Sequence, residues 1–159
     1  MDDPRISIAD KLFAAWSSGN LDAPAQYLTA DAVLFDVVGG EHQGWPAIRA
    51  YFAQGLDKWP DLALVPDQHW VNDTGIALNW VMTATVHDDS LGPDAKGKKW
   101  RSEGMSWLEF DGDKVVHEVD YHDSGAVLRS VQPDPSTGKQ LAAAAAFRAV
   151  RNTTRNFPS

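Results

Sequence analysis

The sequence predicts one α+β domain in which N-terminal helices are followed by a meander of long antiparallel strands. Three observations support this fold class. Apolar residues recur at helical spacing in the first third of the chain, four long strand-like segments follow, and 159 residues is an ordinary length for one domain. A strongly curved sheet of this kind leaves a hollow against the helices, where small α+β domains often bind a ligand.

The first predicted helix covers residues 6–18, with Ser7 and Asp10 as its capping pair. Its apolar residues fall on one stripe: Ala9, Leu12, Phe13 and Trp16. A shorter helix over residues 21–29 and a strand over residues 32–38 come next. A further helix is expected to begin at Gly44-Trp45-Pro46, because proline is favoured in the first helical turn.

Four strands are predicted in the second half of the chain, separated by turns that are rich in Gly and Asp. They cover residues 62–72, 76–87, 99–110 and 114–123. Pro133-Asp134-Pro135 then interrupts the pattern, and an Ala-rich helix is predicted over residues 139–152. The sequence therefore divides into a domain over residues 1–133 and a C-terminal helical extension over residues 134–159.

Composition excludes several classes of function. A net charge of −8 argues against nucleic acid, which needs a basic surface. The chain has no cysteine, which excludes disulfides, thiolate metal sites and cysteine nucleophiles. No apolar run is long enough to span a bilayer, and the N-terminus lacks the features of a secretory signal, so a cytoplasmic location is expected.

Asp36 is the first candidate for acid/base chemistry. It lies in a predicted strand that is apolar on both faces, so its carboxylate is expected to be buried. A buried carboxylate without a partner has a raised pKa and can act as a base near neutral pH. Alternatively, Asp36 ends the strand and caps the Gly39-Gly40 turn through its side chain.

The last predicted strand carries a second group of ionisable residues. Alternation places Glu118, Asp120 and His122 on one face, where two carboxylates and an imidazole could form an acid–base relay. The same alternation is typical of a half-solvated strand with no special chemistry. His117 lies on the opposite face and cannot easily share a metal ion with His122, so no metal site is expected.

Nothing in the sequence indicates a nucleotide cofactor. A glycine-rich loop between a strand and a helix is missing, as is a Gly-Lys-Ser/Thr phosphate-binding motif. The serines lack the sequence context of a nucleophile elbow. A nucleotide cofactor is therefore not expected.

Two segments resemble the nuclear transport factor 2-like superfamily, which includes ketosteroid isomerases and SnoaL-like polyketide cyclases. Residues 31–41, with Gly44 and residues 47–52, resemble its first strand and third helix, and residues 113–123 resemble its last strand. The resemblance covers about residues 5 to 131. It implies a cone-shaped α+β barrel with a deep apolar pocket, and a homodimer formed through the outer face of the sheet.

The resemblance also implies roles for individual residues. Asp36 matches the general base of the ketosteroid isomerases, and Asp120 matches the acid/base aspartate of the SnoaL-like cyclases, with His122 beside it. Leu12 and Ser106 stand where the isomerases carry the tyrosine and the protonated aspartate of their oxyanion hole. The residues that the resemblance turns toward a substrate are Trp16, Tyr51, Trp80, Met82, Ser106 and Glu118.

The sequence thus predicts a cofactor-independent acid/base enzyme with Asp120, His122 and Asp36 as catalytic residues. The expected substrate is a hydrophobic, aromatic or polycyclic small molecule, and the reaction a cyclisation, an isomerisation, or a lyase reaction such as dehydration or retro-aldol cleavage. The alternative is a binding protein of the same fold that performs no catalysis. A carboxyl and an imidazole within hydrogen-bond distance, facing an apolar wall, would favour the enzyme.

Overall fold

The computed structural model describes residues 3–132. The helical elements are α1 (Pro4–Trp16), a 3₁₀ helix (Ala23–Tyr27), α2 (Trp45–Lys58) and α3 (Ser124–Val131). The strands are β1 (Leu28–Asp36), β2 (Gly40–Gln43), β3 (Ala63–Val71), β4 (Gly75–Thr85), β5 (Lys99–Asp111) and β6 (Lys114–His122). The predicted α+β class is confirmed, and each of the four long strands lies within two residues of its predicted bounds.

The six strands form one curved sheet in the order β2-β1-β6-β5-β4-β3. All neighbouring pairs are antiparallel except β1 and β6, which run parallel. The parallel pair places Asp36 opposite Asp120 and Leu34 opposite Glu118. The first and last strands therefore meet in the middle of the sheet, as expected for the cone-shaped fold.

Helices α1 and α2 pack into the concave face of the sheet and form the main core with it. Leu12 and Phe13 of α1, Ile48 of α2, and Ile76 and Leu78 of β4 are almost fully buried there. A second apolar cluster surrounds Trp100 at the start of β5 and includes Val131 of α3. Burying side chains of this size stabilises the fold by about 2 kcal/mol each.

Local differences from the sequence prediction have clear physical reasons. Helix α1 begins earlier than predicted, because Asp3 caps it by accepting a hydrogen bond from the Arg5 N–H (2.9 Å); the predicted Ser7–Asp10 capping pair is wrong. The helix predicted over residues 21–29 is only a 3₁₀ helix, since Leu28 already belongs to β1. Pairing with β6 outweighs helical spacing there.

Two elements were not predicted, namely β2 and α3. Strand β2 has four residues, too few to show a period, and its hairpin with β1 depends on the turn at residues 37–39. Helix α3 begins at Asp123, whose side chain accepts a hydrogen bond from the Gly125 N–H. The Asp-Ser-Gly sequence there also fits a turn, which hides the helix start.

The predicted helix over residues 139–152 and its tail lie outside the described residues. Within residues 3–132, no helix is both long and apolar enough to cross a membrane.

Candidate active site

A cavity of about 380 Å³ lies between the concave face of the sheet and helices α1, α2 and α3. Its walls are mostly apolar. Four ionisable side chains from β1 and β6 lie together at one end: Asp36, Glu118, Asp120 and His122. This arrangement agrees with the expectation that the even-numbered residues of the last strand face inward.

The register of the sheet brings these groups together. Asp36 and Asp120 are partners across the parallel β1–β6 pair, and His122 lies two residues further along β6 on the same face. Antiparallel pairing with β5 sets Ser106 opposite Asp120 and Gly104 opposite His122. Three neighbouring strands therefore supply the polar end of the cavity.

Asp36 and His122 form a largely buried pair. The distance between His122 Nε2 and Asp36 Oδ2 is 3.3 Å. Asp36 Oδ1 accepts hydrogen bonds from the N–H groups of Val38 (2.7 Å) and Gly39 (2.9 Å). Asp36 thus caps the β1–β2 turn, as the alternative sequence interpretation proposed, and also holds the imidazole.

The expected rise in the pKa of Asp36 is wrong. Burial acts to raise it, but the His122 hydrogen bond and the two backbone N–H bonds outweigh burial and lower the pKa to about 2. The same contact with Asp36 raises the pKa of His122 and thereby favours its protonated form, in which Nε2–H donates to Asp36. The contact therefore favours an ion pair between the imidazolium of His122 and the carboxylate of Asp36.

Asp120 is held by a chain of hydrogen bonds. Trp80 Nε1 donates to Ser106 Oγ (2.7 Å), and the Ser106 hydroxyl lies 2.5 Å from Asp120 Oδ1. An indole N–H can only donate, so the Ser106 hydroxyl proton is left to point at Asp120. Gly104 makes room for this chain, because a Cβ there would stand 2.3 Å from the Trp80 ring.

The two carboxyls on β6 keep their protons more strongly than usual. Burial raises the pKa of Asp120 to about 7, against the opposing Ser106 hydrogen bond and with a further rise from the charge of Asp36. Burial, followed by the charge of Asp120, raises the pKa of Glu118 well above its usual value. At neutral pH Asp120 can therefore both take and give a proton, and the surroundings of Glu118 favour its neutral form.

Trp16, Tyr51, Met82 and Glu118 line the cavity. Tyr51 stacks on His42 at a centroid distance of 4.2 Å, and burial followed by the charge of Asp36 raises its phenol pKa. The remaining two predicted substrate residues, Trp80 and Ser106, lie behind Asp120 in the hydrogen-bond chain and do not line the cavity. From this position they hold Asp120 in place through hydrogen bonds and do not contact a molecule in the cavity.

Sequence reasoning missed the other end of the cavity. Its walls there come from the end of α2, the β4–β5 loop, the start of β5, and α3, and they include Trp59, Leu91, Trp100 and Val127. The rings of Trp59 and Trp100 meet edge to face at 5.1 Å. The abundance of tryptophan was a signal for such a wall, but pairing two residues 41 positions apart requires the three-dimensional fold.

The site has no arrangement of metal ligands. Within residues 3–132, no three His, Asp or Glu side chains are grouped so that they could hold a metal ion.

Known proteins share both this sequence pattern and this fold. Residues 9–118 match the family of SnoaL-like domains. No protein in the curated set is significantly similar in sequence.

Similar solved structures include AclR, a proposed hydroxylase from Streptomyces galilaeus (22% identity, 98% of both chains covered, TM-score 0.70). IdmH, a proposed polyketide cyclase from Streptomyces antibioticus, covers 80% of this chain and 98% of its own at 14% identity and a TM-score of 0.72. A proposed polyketide cyclase from Xanthomonas campestris covers 80% and 96% at 19% identity and a TM-score of 0.70. At these identities the likeness shows a shared fold.

Proposed function

The chain belongs to the family of SnoaL-like domains in the nuclear transport factor 2-like superfamily, and from this premise we propose that it is a cofactor-independent acid/base enzyme. Its substrate is a hydrophobic, aromatic or polycyclic small molecule, and Asp120 is the group that moves the proton. The observation that carries the proposal is Asp120 itself: a carboxyl with a pKa of about 7 that lines an apolar cavity. Such a carboxyl can exchange protons near neutral pH without a metal or a cofactor.

The proposed step is proton removal from a carbon next to a carbonyl group. Ser106 occupies Oδ1 of Asp120, and Oδ2 has no hydrogen-bond partner within residues 3–132, so Oδ2 is the oxygen that takes the proton. The electron pair of the C–H bond becomes the enolate double bond, and the negative charge moves to the carbonyl oxygen. Return of the proton to another carbon completes an isomerisation, whereas attack or bond cleavage by the enolate leads to a cyclase or lyase reaction.

Asp36 and His122 serve a different purpose in this proposal. Their opposite charges neutralise each other, and Asp36 is a weak base because its pKa is lowered to about 2. His122 can still donate a hydrogen bond from Nδ1, which has no partner within residues 3–132. We assign the pair to orienting the substrate and to supplying a proton donor beside Asp120.

The shape of the cavity supports an aromatic substrate. A volume of about 380 Å³ is within the range of ordinary small-molecule pockets and accommodates two or three fused rings. The far wall is formed by the rings of Trp59 and Trp100, against which a flat molecule can pack. The substrate would then place its carbonyl group at the carboxyl end and its rings at the tryptophan end.

Hydrogen–deuterium exchange of 2-tetralone tests the proposal without knowledge of the natural substrate. This bicyclic aromatic ketone has exchangeable protons beside its carbonyl, and NMR in D₂O follows their loss. The wild-type protein should accelerate exchange, and Asp120→Asn should reduce the acceleration by about 10² to 10⁴-fold, the usual contribution of a general base. Asp113→Asn, in the exposed β5–β6 turn, is the matched control and should exchange like the wild type.

The same experiment separates the enzyme from a carrier protein. A carrier would bind 2-tetralone, seen as ligand-dependent thermal stabilisation, and would leave its exchange at the rate in buffer. Acceleration that persists in Asp120→Asn would contradict the assigned base.

The outer face of the sheet supports a homodimer as part of the proposal. Large apolar side chains are exposed there on three strands: Val65 and Trp70 on β3, Met105 on β5, and Tyr121 on β6. An apolar surface shared by several strands is typical of a protein interface. Met105→Glu combined with Tyr121→Glu should shift the protein from dimer to monomer in light scattering, whereas Lys11→Glu, at an exposed position of α1, should not.

A further inference from the structure

A lysine stands where the tryptophan end of the cavity opens to solvent. Lys58, the last residue of α2, is exposed and lines the cavity together with its neighbour Trp59. Within residues 3–132 it is the single lysine or arginine of the lining, and the acidic side chains of the lining all lie at the carboxyl end. The cavity therefore has a positive charge at one end and its acidic groups at the other.

Two features hold the ammonium group of Lys58 at this end. Its Nζ lies 5.1 Å from the centre of the Trp59 ring, a distance at which the face of an indole attracts a cation. Lys58 also belongs to the last turn of α2, where the helix dipole favours a positive charge. Within the described chain Lys58 forms no ion pair, so its charge is available to a ligand.

Helix α2 sets the distance between this charge and the reactive end. Tyr51 stands at the carboxyl end, because a Cβ on Gly39, in the turn that Asp36 caps, would lie 2.3 Å from its ring. Lys58 follows seven residues later on the same face of α2, about two turns or 10 Å along the helix axis. A molecule of two or three fused rings with an acidic group at its far end spans this length.

We propose that Lys58 binds a carboxylate group of the substrate, so that the substrate is an aromatic ketone that also carries an acid at its far end. The inference rests on the proposed function and adds how one end of the substrate is recognised. The carboxyl end disfavours a second carboxylate, because Asp36 is already paired with His122 and Asp120 adds negative charge when it ionises. Lys58 attracts the same group. The two ends therefore select one orientation, in which the ketone reaches Asp120.

A second lysine close to Lys58 supplies a matched control. The pKa of Asp88 is lowered by its hydrogen bonds from Ser90 and, after these, by the charges of Lys58 and Lys96. Both lysines are therefore near the same carboxylate, but Lys96 does not line the cavity. Lys96→Met thus makes the same change in net charge at nearly the same place and leaves the cavity wall intact.

Binding of two ligands that differ in charge tests the proposal independently of turnover. One is the 6-carboxylic acid of 2-tetralone, and the other is the corresponding 6-carboxamide, which has nearly the same shape and no charge. We expect the wild-type protein to bind the acid more tightly in isothermal titration calorimetry at low salt and neutral pH. Lys58→Met keeps the side-chain stem and removes the charge. It should reduce the ratio of the two Kd values about 5-fold, between the value of an exposed ion pair and that of a charged hydrogen bond.

Two further variants distinguish a direct contact from the general field of the surface. Lys58→Arg keeps the charge and should retain the preference for the acid within about twofold. Lys96→Met should leave the preference unchanged, and added salt should weaken it in the wild type because the pair is open to solvent. If Lys58→Met and Lys96→Met reduce the preference equally, the effect comes from the surface field and the proposal is wrong.

Exchange of unsubstituted 2-tetralone keeps this proposal separate from the proposed function, because that ketone carries no acid. If the wild type does not prefer the acid, or if Lys58→Met keeps the preference, the carboxylate site is overturned, and the proposed function stands as long as exchange depends on Asp120. If the preference depends on Lys58 but the wild type exchanges none of these ketones, the binding site is supported and the proposed function fails.

Discussion

The two ends of the cavity are built in opposite ways. At the carboxyl end, Glu118 and Asp120 are buried at a cost to stability, because each carboxyl is kept from the water that would ionise it. At the tryptophan end, Trp59 and Trp100 pack on one another and on apolar neighbours, which stabilises the fold. The buried carboxyls at one end therefore lower the stability of the fold, and the apolar packing at the tryptophan end offsets this loss.

The largest effect on stability is expected at the tryptophan end. Trp100→Ala removes the largest fully buried side chain and should lower the free energy of unfolding by about 3 to 5 kcal/mol, measured by urea denaturation. Asp120→Asn at the other end should leave stability unchanged or raise it at pH 7.5. A larger loss of stability in Asp120→Asn than in Trp100→Ala would contradict the division between the two ends.

The pH dependence of stability should come from the carboxyl end. Folding raises the pKa values of Glu118 and Asp120, so the native state binds more protons than the unfolded state above about pH 4. Stability should therefore fall as the pH rises from 5 to 7.5, by about 2 to 3 kcal/mol from Asp120 alone and further through Glu118. Denaturation at both pH values measures this change, and Asp120→Asn should make it smaller.

Asp36 contributes in a different pH range. Its lowered pKa of about 2 stabilises the native state above about pH 4, and that stabilisation is lost as the pH falls toward 2. Asp36→Asn should therefore flatten the acid side of the profile. It should also make the slope between pH 5 and 7.5 shallower, because the charge of Asp36 raises the pKa values of Asp120, Glu118 and His122. An unchanged slope in that range would contradict the effect of Asp36 on the pKa values of these neighbouring groups.

The smallest effect is expected from the hydrogen-bond chain. Ser106→Ala should reduce the exchange rate of 2-tetralone about 10-fold and shift the pH dependence of the rate upward, because the Ser106 bond lowers the pKa of Asp120. Ser102→Ala removes another buried hydroxyl of β5, one that donates to the Asp123 carbonyl instead. Ser102→Ala should leave the pH profile of the exchange rate unchanged. If it shifts the profile as Ser106→Ala does, the role assigned to Ser106 is wrong.

Much of the fold could be predicted from the sequence because the long strands and two of the helices carry strong local patterns. Alternation alone placed Glu118, Asp120 and His122 on one face, and the structure has all three in the cavity. Helix α3 has eight residues and begins in a turn-like sequence, so its contribution to the cavity was missed. The extension over residues 134–159 remains a prediction, because it lies outside the described residues.

The electrostatics of Asp36 could not be predicted, because they depend on contacts between residues far apart in the chain. Its pKa is set by His122, 86 residues away, and by two N–H groups of a turn. The sequence indicated burial, which raises a pKa, but not the partners that lower it. Likewise, the Trp80–Ser106 hydrogen bond cannot be read from strand patterns.

The parallel pairing of β1 with β6 has a consequence for how the protein forms during synthesis. A ribosome releases β1 long before β6, so Asp36 emerges without His122, and the centre of the sheet stays open until the last strand inserts. Until then, β1 and the inner edge of β5 expose unpaired backbone groups that could bind other chains. Insertion of β6 therefore does two things in one late step: it brings His122 to Asp36, and it covers the strand edges that could aggregate.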